Sequence, residues 1–383
     1  MVAMSSPEIP LKEVEEYLKI HPDDAMAWNT KGVLLATLGD FGPALRALNE
    51  AIKLNADLHQ AHTNKGRVLL ALGSDKASEA LKSFDTALRL KPNDLDALRD
   101  KAVALRALDR LAEEMRCLLK FVDLAPQEWK AWMRIGDIQL ESGDFRQAES
   151  SFSRVLELEA ENVFALIHRA IALSMLEEWG DAIKSAEEAC KHAPDQVEAW
   201  KVLGDVNVRA GRNRAALKAL EKAARLDPED AHVELTLGMV EYKSGRLKDA
   251  VKHFNRAIIR DRKNPRGYRN IALVSMELEE WEASKDAWER FIQLVKNDAE
   301  AYDALATSCA RLDDFCCAAD AWDMARKLFK KNGQNIDASR VTELGRAARI
   351  NCSRMKKALK AQKEHEKATR TFSDRHKGRS TKR

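Results

Sequence analysis

Apolar residues recur at three- and four-residue spacing along most of the chain, the period of helices that bury one stripe. Residues 129–160 show the pattern well. WKAWMRIGDIQLES reads as one amphipathic helix, GDF as a turn, and RQAESSFSRVLELEA as a second amphipathic helix. The same two-helix phrase returns with a fixed period. Ala148, Ala182, Ala216 and Ala250 are each 34 residues apart, as are Gly32 and Gly66, Gly204 and Gly238, Pro92 and Pro126, and Pro194 and Pro228. Nine units follow, starting at Ala25, His59, Leu95, Trp129, Val163, Val197, Ala231, Pro265 and Ala299. The second is longer by two residues, which fall in the turn GSDKAS.

The punctuation between units has a physical basis. PND, PDQ and PED stand at 92–94, 194–196 and 228–230. Proline stops the preceding helix, and an acidic residue caps the free N–H groups of the next. Gly32, Gly66, Gly136, Gly204 and Gly238 fall mid-helix, where glycine costs about 0.5–1 kcal/mol relative to alanine. A cost repeated at one position implies close packing there. Ala148 is expected at a helix crossing, and Glu149 on the outer face.

Trp132 with Gly136, Leu203–Gly204, Leu237–Gly238, Ala148 with Phe152, Ala80 with Phe84, Ala250 with Phe254 and the closing prolines resemble the tetratricopeptide repeat (TPR) pattern, over about 25–330. The resemblance implies an all-α, right-handed superhelical solenoid of nine helix pairs. Residues 1–24 are expected to form a tail and capping helix, 331–369 a C-terminal capping helix running into solvent, and 370–383 a basic, disordered tail. The third unit departs from the pattern with Ala102 for glycine and Glu114 for alanine, the eighth with Ser284 for that alanine, and looser packing is expected there. On the capping helix, Val341, Leu344, Ala348, Cys352, Met355 and Leu359 make one apolar stripe.

Composition adds little about partners until it is divided. The chain is 33% charged and 6% aromatic, and its net charge is only +3. Residues 351–383, however, hold twelve Lys/Arg against three Asp/Glu, a net +9, which leaves −6 on the preceding 350 residues. Six cysteines without a C-x-x-C pair read as reduced thiols. Adjacent Cys316 and Cys317 diverge on a helix and read as fillers. MVAMSSPEIP shows no basic or apolar leader region, and no run of about 18 apolar residues occurs, so a cytoplasmic protein is expected. No P-loop, dinucleotide fingerprint, nucleophile elbow or H-E-x-x-H occurs. No enzyme activity, metal or cofactor is expected.

In the TPR family the first helices line a concave groove, and the resemblance assigns groove positions here. An apolar set comprises Phe164, Ile167, Ile171, Leu235, Met239, Tyr242, Leu273 and Met276. It reads either as a partner site or as core filling. A charged set comprises Arg67, Arg99, Lys130 and Arg134, interleaved with Asp96, Asp100 and Asp137. Lys130 and Arg134 match two of the five positions of the family's carboxylate clamp. Thr63, Arg67 and Asp100 replace Lys, Asn and Asn at the others, and Asp100 would repel a carboxylate. The expected function is a scaffold or adaptor that holds an extended or helical segment of a partner protein. Two alternatives remain open. The tail, including Lys356, Lys357, Lys360 and Lys363, could associate with nucleic acid or an acidic surface, or the chain could be an accessory subunit of an enzyme complex. A small-molecule substrate is not expected.

Overall fold

The computed structural model describes the backbone of residues 8–380 and the side chains of 10–367. Among these residues there is no strand, and the helices fall into two compact units, divided along the chain between Pro194 and Asp195. The first unit holds α1 (Glu8–Ile20), then the pairs α2 (Ala25–Thr37) and α3 (Phe41–Leu54), α4 (His59–Leu72) and α5 (Ala77–Leu90), and α6 (Leu95–Ala107) and α7 (Leu111–Leu124). It closes with α8 (Trp129–Glu141) and α9 (Phe145–Leu158), then α10 (Val163–Met175) and α11 (Trp179–His192). The second unit pairs α12 (Val197–Arg209) with α13 (Asn213–Leu226), and α14 (Ala231–Lys243) with α15 (Leu247–Arg260). It continues with α16 (Pro265–Glu277) and α17 (Trp281–Leu294), α18 (Ala299–Arg311) and α19 (Phe315–Lys331), and ends on α20 (Asn335–Ser380). The nine first helices begin at the nine positions marked by the sequence period.

Caps and turns explain the regularity. Asp94 accepts from the Ala97 N–H at 3.2 Å, and Asp230 from the N–H groups of His232 and Val233 at 2.8 and 3.2 Å. At PDQ the cap residue is Gln196, and its side chain makes no capping bond. Between α4 and α5 the chain turns through Gly73 and a short 3-10 turn, Ser74–Lys76; the turn inside each of the other eight pairs needs one left-handed residue. Gly39, Gly143, Gly211 and Gly245 supply it with φ between 73° and 86°. Asp109, Glu177, Glu279 and Asp313 hold the same place with φ of 55–61°, a conformation that costs a side-chain-bearing residue about 1–2 kcal/mol.

The mid-helix glycines serve close packing. A Cβ on Gly136 would lie 2.5 Å from the Phe152 ring, and one on Gly238 would lie 2.4 Å from Phe254. Ala148, Phe152 and Phe254 are buried in these crossings. The departures from the repeat pattern are not loosely packed, contrary to expectation. Glu114 is 1% exposed and accepts two bonds from Arg134, at 2.8 and 2.9 Å. Ser284 is fully buried and shares a 3.0 Å hydrogen bond with buried Ser308. In each case the larger polar side chain is buried against a polar partner from the next repeat. Glu149 also departs from its assignment. It accepts from Arg169 Nε at 2.9 Å and is half-buried rather than outward-facing.

At the C-terminal end, Ala338, Val341, Gly345, Ala348 and Cys352 step by three and four along α20 and are all buried. Leu344 is off that stripe, because Gly345 takes its place against Trp322, and Met355 and Leu359 continue it in solvent. Every residue from 353 to 367 is exposed. Helical backbone continues to Ser380, where an irregular tail was expected from 370; no proline interrupts it. Residues 381–383 lie outside the described residues. The reading of six reduced thiols is corrected as well. Cys316 is joined to Cys352 and Cys309 to Cys317, with Cα separations of 4.9 and 5.9 Å; Cys117 and Cys190 remain free. Spacing could not reveal the first pair, because the fold brings together residues 36 apart.

Candidate partner-binding surface

The first-helix face of the unit up to Pro194 carries a polar ladder. Asn64 on α4 donates to Asn29 on α2 at 2.9 Å. Arg67, one turn on, donates to Asp100 on α6 and pairs with Asp96 at 3.0 Å. Arg99 closes the group with contacts of 2.8 Å to Asp96 and 3.2 Å to Asp100. Burial acts against the Arg67 charge, but Asp100 and Asp96 outweigh it and hold its pKa above the usual arginine value. Arg134 is likewise raised, first by its hydrogen bonds to Glu114. His168 on α10 meets Asp137 on α8 at 2.8 Å. The expected charged set thus divides. Arg67, Arg99 and Arg134 are engaged by carboxylates of the chain itself. Lys130 is exposed, 5.6 Å from the centre of the Trp129 ring.

Beside the ladder is a shallow cavity of about 250 Å³, lined by Val33, Thr37, Phe41, Asn64, Arg67 and Val68 among others. Sequence reasoning singled out Arg67 but missed the apolar walls, which come from three helices. The signal available was the unburied β-branched Val33 on the same face as Asn29.

The expected apolar set divides between the units and between core and surface. Ile167 is 2% exposed and Leu235 6%, so both are core rather than groove. Leu235 packs in the cluster of Phe254, Ile271 and Trp288. Ile171 and Met276 are half-buried, and the Met276 sulfur accepts from Trp288 Nε1 at 3.4 Å. Phe164 on α10 remains open at 60%. On α14 and α16 of the second unit, Met239, Tyr242 and Leu273 are 41–43% exposed. Glu277 on α16 acts on Tyr242 of α14 and raises the phenol pKa. The result is an apolar patch on neighbouring first helices.

Among the described residues one trio of metal-ligating side chains converges: Cys309, Asp314 and Cys317, with ligand atoms within 4.8 Å. Its sulfurs are joined to each other, and Asp314 accepts from Lys285 and the Cys317 N–H. No described helix is long and apolar enough to cross a membrane.

Family models agree with this geometry. The tetratricopeptide repeat model matches 29–78, 66–128 and 133–197, and the model of the cytochrome c-type biogenesis protein H TPR domain matches 187–302. The chain belongs to the tetratricopeptide-repeat family. TPR arrays are scaffolds for protein interaction, and this chain is one of them. Its similarity to individual relatives is partial. It is 23% identical over 193 residues to protein O-mannosyl-transferase TMTC3 of Homo sapiens, covering 49% of this chain and 21% of that protein. It is 27% identical over 166 residues to protein FlbA of Caulobacter vibrioides, covering 43% and 28%. It is 25% identical over 190 residues to DnaJ homolog subfamily C member 7 of Homo sapiens, covering 46% and 38%. The chain therefore spans well under half the length of these relatives. Among solved TPR structures, YrrB, described as having an unusual peptide-binding site, aligns at 20% identity and a TM-score of 0.45 over 49% of this chain and 95% of that one. The APC/C hetero-tetramer Cut9–Hcn1 aligns at 16% identity and 0.46, over 88% and 81%.

Proposed function

We propose that this TPR protein binds an extended or helical segment of a partner protein on its first-helix faces, with the apolar patch of α14 and α16 as the anchoring site. The observation that carries this reading is the exposure of Met239, Tyr242 and Leu273 beside one another on helices whose remaining large apolar side chains are mostly buried. Apolar area left open on an otherwise charged surface is characteristic of a docking site. The polar ladder on the first unit supports a weaker, orienting role, since its charges are already satisfied internally. No catalytic role is assigned to any residue. The test is selection of binding peptides from a random-sequence display library, followed by titration against the wild type and Met239→Asp/Leu273→Asp. Loss of binding by at least tenfold with unchanged melting supports the reading. Undiminished binding by the double variant sinks it.

A second reading rests on α20. Lys356, Lys360 and Lys363 lie at i, i+4 and i+7 on one face, Lys357 lies beside them, and all four are exposed without an ion pair to a described residue. Such a face suits an acidic partner surface or a phosphate backbone. Binding of the full chain to random-sequence RNA at two salt concentrations, compared with a Lys356/Lys357/Lys360/Lys363→Gln variant, tests it. Equal binding by both chains would dismiss this reading.

A further inference from the structure

Four of the six cysteines gather where α18, α19 and α20 meet, and their surroundings differ sharply from those of the other two. Cys117 and Cys190 lie within the helix pairs, and burial pushes their thiols up to about 11 and about 12, so they stay protonated and unreactive. Cys316 and Cys317 are only half-buried, and they are the second and third residues of α19, immediately after its cap Asp314.

Cys352 has a particular place on α20. Among the described side chains of that helix it is the last buried one, and everything from 353 to 367 is exposed. Its Cα lies 4.9 Å from that of Cys316, within the span a disulfide bridges. The polar anchors of α20, Arg340 on Asp303 and Arg349 on Asp323, lie before it. The link therefore stands where the buried stripe of α20 gives way to exposed residues.

We propose that Cys316 and Cys352 form a thiol–disulfide exchange site for small-molecule disulfides, a clasp whose oxidation fixes the base of the projecting helix α20 to α19. The Cys316 thiolate attacks one sulfur of the small disulfide. One small thiolate leaves and takes up a proton, giving a mixed disulfide on Cys316. The Cys352 thiolate then attacks the Cys316 sulfur and expels the second small thiol. In balance, two protein thiols and one small disulfide give one protein disulfide and two small thiols. Reduction reverses both steps, and the last turn of the docked segment then depends on packing and on the Arg349–Asp323 contact. The lysines at 356–363 continue the same helix, so the clasp sets how firmly that basic face is held.

The test uses the full chain in glutathione buffers from fully reduced to largely oxidised. Alkylation and fragmentation mapping read the linked peptides, and hydrogen exchange reads the amides of 349–360. The expected result is a reversible Cys316–Cys352 link, unmodified Cys117 and Cys190, and exchange at 349–360 at least tenfold slower when oxidised. In Cys352→Ser that difference should vanish, with protection at 338–348 retained as evidence of folding. The proposal is overturned by the absence of the link at every ratio, or by equal exchange in both states. A redox shift that survives in Cys352→Ser overturns it as well, since Cys309–Cys317 would then be responsible. So does protection of Cys316 and Cys352 from alkylation by added zinc, which would make the cluster a metal site.

Discussion

In the unit up to Pro194, the faces of α2, α4 and α6 are occupied by Asn29, Asn64, Arg67, Arg99, Asp96 and Asp100 bonded to one another. In the unit from Asp195, the faces of α14 and α16 leave Met239, Tyr242 and Leu273 open. Both faces are built from the first helices of their repeats, yet one satisfies itself and the other does not. The repeat therefore dictates where a side chain points and how near its neighbour from the next repeat lies. The identity of that neighbour decides whether the position is closed. Arg67 is closed by Asp100, 33 residues on, whereas Met239 has no such partner to cover it.

The contrast can be broken most forcefully in the first unit. Arg134→Met leaves buried Glu114 with only the looser contact to Arg106 at 3.8 Å, and should cost roughly 3 kcal/mol in denaturant unfolding. Replacing both, as Glu114→Gln/Arg134→Met, should recover part of that loss. If the single variant costs nothing, the pair is not closed as described. Next is the division between core and surface. Ile167→Asp should destabilise by about 3 kcal/mol or more, because it buries a charge without a partner. Met239→Asp should stay within about 0.5 kcal/mol, being a surface change. Similar losses from both would erase the distinction between the two faces. Ala148→Leu, at the crossing with α8, should cost roughly 1–3 kcal/mol through overpacking.

Smaller effects sharpen the picture. Glu279→Gly removes the left-handed strain of a side-chain-bearing residue and should stabilise by about 0.5–1 kcal/mol after the added freedom of the unfolded chain is subtracted. A lower midpoint in that variant would contradict the turn assignment. The least effect is electrostatic. The Asp205 carboxylate, 3.6 Å from the His232 ring, raises its pKa against the opposing effect of burial. A raised folded value means that the pair's contribution is complete below about pH 6.5, the unfolded value, and disappears as pH rises through the folded one. An NMR titration of Asp205→Asn should move the His232 midpoint down, and an unmoved midpoint would remove the pair from the account.

Much of the architecture was legible along the chain, because the period of 34 and the caps are local properties. A helix begins at Ala231 because Asp230 caps it, and the chain turns at Gly245 because glycine accepts a left-handed backbone at little cost. The glycines at 136 and 238 even announced a close approach, though not that the Phe152 and Phe254 rings were what approached. Burial was legible only in part. Ile167 and Phe164 are three residues apart on one helix and alike in character, yet one is core and the other open. The sequence by itself determined the repeat, the helix starts and the basic end of the chain, since each depends on residues within a few turns of one another. Only the tertiary structure decided which groove positions are closed, that Glu114 has Arg134, and that Cys316 meets Cys352. These depend on residues 20 to 36 positions apart, whose approach is set by how one helix pair packs on the next and not by any pattern along the chain.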